Sequence, residues 1–147
     1  MLVKSWKKKG DWPLNKVKYQ ITLVACDRLC RRKNLILDNG MKVFLALDRV
    51  VNFKNGDALE LENGLWVEII AAKEKVIDII SLNNMHQSLL AWHLGNRHLA
   101  VQIIDEKKIR IEYDHVIFDM MKGLKAELDI TNNIFEPELG AYGSHNH

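Results

Sequence analysis

The chain has 147 residues, 48% hydrophobic and 27% charged, with 21 Lys and Arg against 19 Asp and Glu for a formal charge of +2. That composition fits one globular domain or two small ones and excludes a disordered or fibrous chain. The longest apolar run is residues 43–47, far short of the ~20 residues that span a bilayer. The lysine-rich stretch 1–10 has no apolar segment behind it, as a secretory leader requires. The expected setting is the cytoplasm, with no membrane partner.

The first half reads as short strands separated by turns. Residues 18–26 and 34–37 alternate imperfectly, and Asp38-Asn39-Gly40 carries the Asn-Gly signal of a tight hairpin leading into a return strand at 42–47. Further turns at Asn55-Gly56-Asp57 and Glu62-Asn63-Gly64 flank strands at 58–61 and 65–72. Turns at this spacing predict a small β-sandwich or barrel with no long helix before residue 80. Charge is uneven along this half. Lys7–Lys9 and the group Arg28, Arg31, Arg32, Lys33 read either as solvated edge strands, which use cations to block pairing, or as a binding patch. Cys26 and Cys30 have no second cysteine pair, so they are expected to be small apolar residues rather than zinc ligands.

The pattern changes near residue 73. A β-rich run at 76–80 precedes a helix on which Met85, Leu89, Leu90, Trp92 and His93 recur at helical spacing. Ser81 or Asn83 can cap its start and Gly95 can end it. Strands at 99–104 and 109–113 follow. Asp114 then caps a second helix bearing Val116, Ile117, Met120, Met121 and Leu124, and a last strand covers 126–130. The order β-α-β-β-α-β is that of a ferredoxin-like sandwich. The expected fold class is α+β: an N-terminal all-β domain over 1–73, a ferredoxin-like domain over 74–132, and a flexible His-bearing tail over 133–147.

Six histidines are the scarce chemical resource. His145 and His147, two apart in an extended tail, can face one metal ion, and chance or a purification tag explains them equally well. His98 follows Gly95-Asn96-Arg97 at the helix exit, where Asn and Gly tolerate a left-handed backbone. His98 is open between a structural hydrogen-bonding role and a ligand. His86 and His93 within the helix are expected to be structural. His115, beside the capping Asp114, is open between a ligand and an exposed first-turn residue. No Gly-rich phosphate loop, Gly-x-Ser-x-Gly elbow or His-Glu-x-x-His pair is present.

Three segments together resemble one family. His93-Leu94-Gly95-Asn96-Arg97-His98, then Tyr113-Asp114-His115-Val116, then Phe135-Glu136-Pro137-Glu138 with Gly140-Ala141-Tyr142-Gly143 and a His-bearing tail are similar to the UreE urease accessory proteins. The resemblance covers essentially the whole chain. It implies a nickel metallochaperone rather than an enzyme, delivering Ni²⁺ for assembly of the urease active site. It implies a β domain of the partner- or peptide-binding type and a homodimer whose two copies of His98 meet across the two-fold axis on one ion. His115 is implied as an auxiliary ligand, with Tyr113 where some relatives carry a further histidine. His145 and His147 stand in place of longer His-rich tails. The implied partners are urease and the other accessory proteins, including the GTPase of the maturation complex.

Imidazole suits nickel but also Zn²⁺ and Cu²⁺, so either ion is expected to compete. Three alternatives remain open from the residues. One is a general divalent-metal binding or storage protein. Another is an enzyme using His98 or His115 as a base with Asp114. The third is a nucleic-acid module using the basic strand, although the near-neutral charge disfavours nucleic acid as a partner.

Overall fold

A computed structural model describes residues 1–139. The chain divides into two compact units, Met1–Ala72 and Lys73–Glu138. The secondary structure is mixed α+β, mostly strands. Among the described residues no helix is long and apolar enough to cross a membrane.

In the first unit the strands are β1 (Val3–Lys7), β2 (Val17–Leu23), β3 (Leu29–Ile36), β4 (Lys42–Asn52), β5 (Ala58–Leu61) and β6 (Trp66–Ala71). They form a four-stranded sheet in the order β1-β5-β6-β2 and a two-stranded ribbon, β3-β4. One apolar core joins them, with Ile21, Leu59, Leu61, Val67 and Ile69 from the sheet and Leu35, Val43 and Leu45 from the ribbon. Burying both inner faces this way is the expected sandwich logic. Two details depart from expectation. Strand β2 stops at Leu23, and the one-turn helix α1 (Ala25–Arg28) takes the residues expected to continue it. Strand β2 also pairs parallel to β6, which hairpin reading does not anticipate.

The hairpin at Gly40 is as expected: the glycine has φ +90 and its N–H donates to the Leu37 carbonyl at 2.8 Å. Both of its strands are longer than their alternation suggested, because ribbon pairing recruits the polar residues Arg32 and Lys33 to β3 and Asn52 to β4. Buried Asp57 accepts hydrogen bonds from the Lys9 and Lys54 backbone N–H groups, tying two loops together. Cys30 is buried, which pushes its thiol pKa up, whereas Cys26 is exposed.

The second unit contains β7 (Lys73–Ile80), α2 (Asn84–Asn96), β8 (Gln102–Asp105), β9 (Lys108–Glu112), α3 (His115–Gly123) and β10 (Glu127–Ile134). All pairings are antiparallel, in the order β10-β7-β9-β8. That is the ferredoxin-like arrangement expected from the element order. Ile77, Ile79, Ile109 and Ile111 form the sheet's inner face and pack against Leu90 and Leu94 of α2 and Ile117 and Met121 of α3. Asn83 caps α2 through the His86 N–H at 2.8 Å, and Asp114 caps α3 through Val116 and Ile117. His86 is structural: its Nδ1 accepts from the Leu82 N–H, and its Nε2–H donates to the Leu124 carbonyl at 2.8 Å. This single ring joins the start of α2 to the exit of α3.

The end of the domain differs from the reading that placed a tail from residue 133. Strand β10 runs to Ile134, because Asn132 and Asn133 find ladder partners in Lys75 and Glu74 despite weak strand propensity. Phe135 is 1% exposed. The Glu136 N–H donates to Gln102 Oε1 at 2.9 Å and the Glu138 N–H to the Val101 carbonyl at 2.7 Å. Segment 135–138 therefore leaves one edge strand, β10, and fastens beside the other, β8. Residues 140–147, the remainder of the expected tail, lie outside the described residues.

Removing the Phe135 ring empties a packed site. Phe135→Ala is expected to cost about 3–5 kcal/mol of stability, the range for truncating a buried aromatic ring. Urea unfolding of the full chain checks this, and a loss near zero would return residue 135 to the tail.

Candidate metal centre

Chain direction collects the candidate residues at one end of the second sheet. Strand β7 starts at that end and α2 returns to it, so the helix exit and the start of β8 lie there. Strand β9 runs back to the same end, where α3 begins and β10 finishes. Register confirms the alignment: Lys73 pairs with Ile134, Val76 pairs with Glu112, and the Tyr113 N–H donates to the Lys75 carbonyl at 3.0 Å. His98, His115 and the anchored segment 135–138 thus share one pole of the domain.

His98 is placed by the way α2 ends. The His98 N–H donates to the Gly95 carbonyl at 3.0 Å and the Leu99 N–H reaches the Leu94 carbonyl at 3.4 Å. His98 itself has φ +56. This pair of bonds is a Schellman closure, with Leu99 and Leu94 in the same apolar cluster. The left-handed position normally taken by glycine is held by the histidine. Gly95, expected to end the helix, lies inside it. Helix α3 ends the same way, with Lys125 at φ +72. Leu99 is drawn into the core, so its neighbour His98 is left exposed at the turn.

His115 is the first residue of α3 and is exposed. Beside it, the Lys75 ammonium lies 3.9 Å over the Tyr113 ring, so position 113 holds an aromatic ring covered by a cation. His93 packs edge-on against Trp92, with ring centroids 5.0 Å apart. Among the described residues no three His, Cys, Asp or Glu side chains group closely enough to hold a metal ion. The pole brings His98 and His115 to one end without closing a site. His145 and His147 lie outside the described residues.

One surface feature escaped the sequence reading. Met85, Leu89 and Trp92 are 83%, 46% and 62% exposed, and Leu82 just before the helix is 67% exposed. The core is served instead by Leu90 and Leu94 on the opposite side. Positions 85, 89 and 92 form one helical stripe that leads toward the exit at His98. The available signal was a surplus: α2 carries more apolar residues than one buried face can use.

Histidine at φ +56 carries strain that glycine does not. His98→Gly should leave the fold intact and be up to about 1 kcal/mol more stable, whereas His98→Ala keeps the strain and gains nothing. Thermal unfolding of both variants distinguishes them. A glycine variant clearly less stable than the alanine variant would refute this account of the helix exit.

Comparison with known proteins agrees with this architecture. Residues 5–72 match the family model for the UreE urease accessory protein N-terminal domain, and residues 74–147 match that for its C-terminal domain. The chain is 48% identical over 118 residues to a urease accessory protein UreE of Rhizobium rhizogenes, covering 80% of this chain and 70% of that protein. It is 50% identical over 126 residues to the one from Rhizobium etli, covering 86% and 62%. With that of Agrobacterium fabrum it shares 46% over 125 residues, covering 85% and 77%. With both halves of the chain matched and identity near one half, the chain belongs to the UreE family of urease accessory proteins.

Proposed function

We propose that the protein is a nickel metallochaperone, not an enzyme, that binds Ni²⁺ as cargo and delivers it in the cytoplasm for assembly of the urease active site. The observation that carries this reading is His98: an exposed histidine on the hydrogen-bonded turn at the exit of α2, at the end of an exposed apolar helical stripe. An apolar stripe of this kind suits burial against a second copy of the chain. In a homodimer joined there, two-fold symmetry places two copies of His98 on one axis and supplies two ligands from one residue. A site shared between copies also accounts for a single chain that groups no three donors among its described residues.

The anchored segment supports a role for the tail. Glu138 is hydrogen-bonded at Val101, three residues beyond His98. From Glu138 to His145 the chain can span at most about 25 Å, ample to return to His98. His145 and His147 would then complete the coordination from a segment that is easily withdrawn, as a carrier requires. His115, on the same pole, is an auxiliary ligand in this proposal. Imidazole ligands do not select nickel sharply, so Zn²⁺ and Cu²⁺ compete. The first unit serves contact with urease and the other accessory proteins, including the GTPase of the maturation complex.

Sedimentation and metal titration test the shared site. The expected result is a dimer binding about one tightly held Ni²⁺ per dimer, since one symmetric pair of ligands defines one site. A strict monomer with a full-affinity site in each chain would overturn it. His98→Ala should abolish the tight site while leaving the dimer folded.

Truncation after Gly143 should lower affinity or capacity while the His98 site persists. Unchanged binding would remove His145 and His147 from the ligand set. Metal binding requires neutral imidazole, so calorimetry in buffers of different ionisation enthalpy should record proton release as the pH falls into the imidazole range. Binding without proton release there would exclude a histidine site.

A further inference from the structure

We infer that Arg110, clamped by Asp78 and flanked by Gln102, is a positioning residue for nickel capture. Together they form a polar row on the second sheet that fixes the root of the tail and aims it at His98. This role rests on the proposed binding of Ni²⁺ by His145 and His147.

Asp78 on β7 is the register partner of Arg110 on β9, and Arg110 is that of Gln102 on β8. Register partners share a face of the sheet, and these alternate with Ile77, Ile79, Ile109 and Ile111, which face the helices. The row therefore crosses β7, β9 and β8 on the face away from the helices. Arg110 grips Asp78 with a fork, Nε to Oδ1 at 2.7 Å and Nη2 to Oδ2 at 3.2 Å. Its remaining nitrogen, Nη1, donates to the Ile134 carbonyl at 2.8 Å. Gln102 Oε1 accepts from the Glu136 N–H at 2.9 Å, and Phe135 between these two anchors is buried. The Glu138 N–H then donates to the Val101 carbonyl at 2.7 Å, and Glu138 Oε1 accepts from the Ile103 N–H at 3.4 Å. Contact at Gln102 followed by contact at Val101 steps backwards along the chain. The segment thus runs antiparallel to the start of β8 and heads for His98.

The Arg110 and Asp78 side chains are only 12% and 7% exposed. A buried ion pair brings little net stability, and apolar residues of similar volume often serve as well. What the fork supplies and apolar residues cannot is a directed donor to the carbonyl of the last residue of β10. Direction matters because the ligands His145 and His147 are tethered. The effective concentration of a tethered ligand at its target depends on where the tether is rooted and how far it must span. With segment 135–138 fastened, the tether starts beside β8, close in sequence to His98. With the segment released, it starts at Ile134 on β10, the opposite edge of the sheet. The row decides between these two origins.

The test is a cycle of the full chain and the chain truncated after Gly143, each with and without Gln102→Ala. Calorimetry reads Ni²⁺ affinity, and NMR reads hydrogen exchange of the Glu138 amide without metal. Gln102→Ala should speed that exchange about fivefold or more, although the Val101 acceptor is untouched, because the segment lifts away. It should weaken Ni²⁺ binding by the full chain about threefold or more and leave the truncated chain unchanged. Arg110→Lys repeats the cycle with the charge beside Asp78 kept and the bond to Ile134 lost. Should that variant fail to fold, the Gln102→Ala cycle decides alone. A merely structural role would move both chains alike. Equal weakening of the full and truncated chains, or unchanged Ni²⁺ binding by the full chain, would therefore overturn the positioning role. Truncation that by itself leaves Ni²⁺ binding unchanged strikes the tail reading and this role with it. Truncation that weakens binding, with row variants that add to it independently, strikes this role alone.

Discussion

An antiparallel sheet in the order β10-β7-β9-β8 forces each helix to return across it, and this governs the end of the second unit where His98 and His115 lie. Strand β7 leaves the pole, α2 comes back to it, β9 comes back to it, and β10 ends there. His98, the start of α3 and the chain beyond Ile134 have no other place to be. The pole is a consequence of chain direction before any side chain is considered. What the side chains add is the way each connection closes. Asn83 and Asp114 open the helices with carbonyl and carboxylate caps, and two Schellman turns close them.

The helix exit at His98 places a demand on a residue that is not glycine. Left-handed backbone at a branched-free but bulky side chain costs free energy, and the cost is met by drawing Leu99 into the core against Leu94. The same turn that buries Leu99 projects His98 outward. The backbone at this turn is held by two hydrogen bonds and one apolar contact. Lys125 occupies the equivalent turn after α3, so the device is a feature of how both helices end. At α2 alone it coincides with an exposed apolar stripe.

The two units handle polar groups in different ways. In the second, the buried Asp78 carboxylate and the Arg110 guanidinium meet at 2.7 Å, and Arg110 also donates to the Ile134 carbonyl at 2.8 Å. This network fastens the end of β10 at the pole and steers the chain toward β8. In the first, Arg28 is fully buried and donates to the Leu23 and Phe53 carbonyls, bracing α1 against the loop after β4. Its neighbours Arg31, Arg32 and Lys33 stand on the strand, on a groove that the β4 bulge opens. A single basic run in sequence thus divides into one structural cation and three at the surface.

Much of this was legible without coordinates. The Asn-Gly hairpin, the caps at Asn83 and Asp114, and the β-α-β-β-α-β order are local signals, written in residues that act on their own neighbours. The resemblance to the UreE family likewise rests on short segments in a given order. Other features depend on partners distant in sequence. Parallel pairing of β2 with β6, and the extension of β3, β4 and β10 through polar residues, come from ladder partners that no local window contains. The choice of Leu90 and Leu94 over Met85, Leu89 and Trp92 as the core face was made by packing, since helical spacing alone allows either. The left-handed turn was expected at Gly95 or Asn96, where it is cheapest, yet it falls on His98. The point of closure is set by where Leu99 can reach the core, and only the tertiary structure decides that.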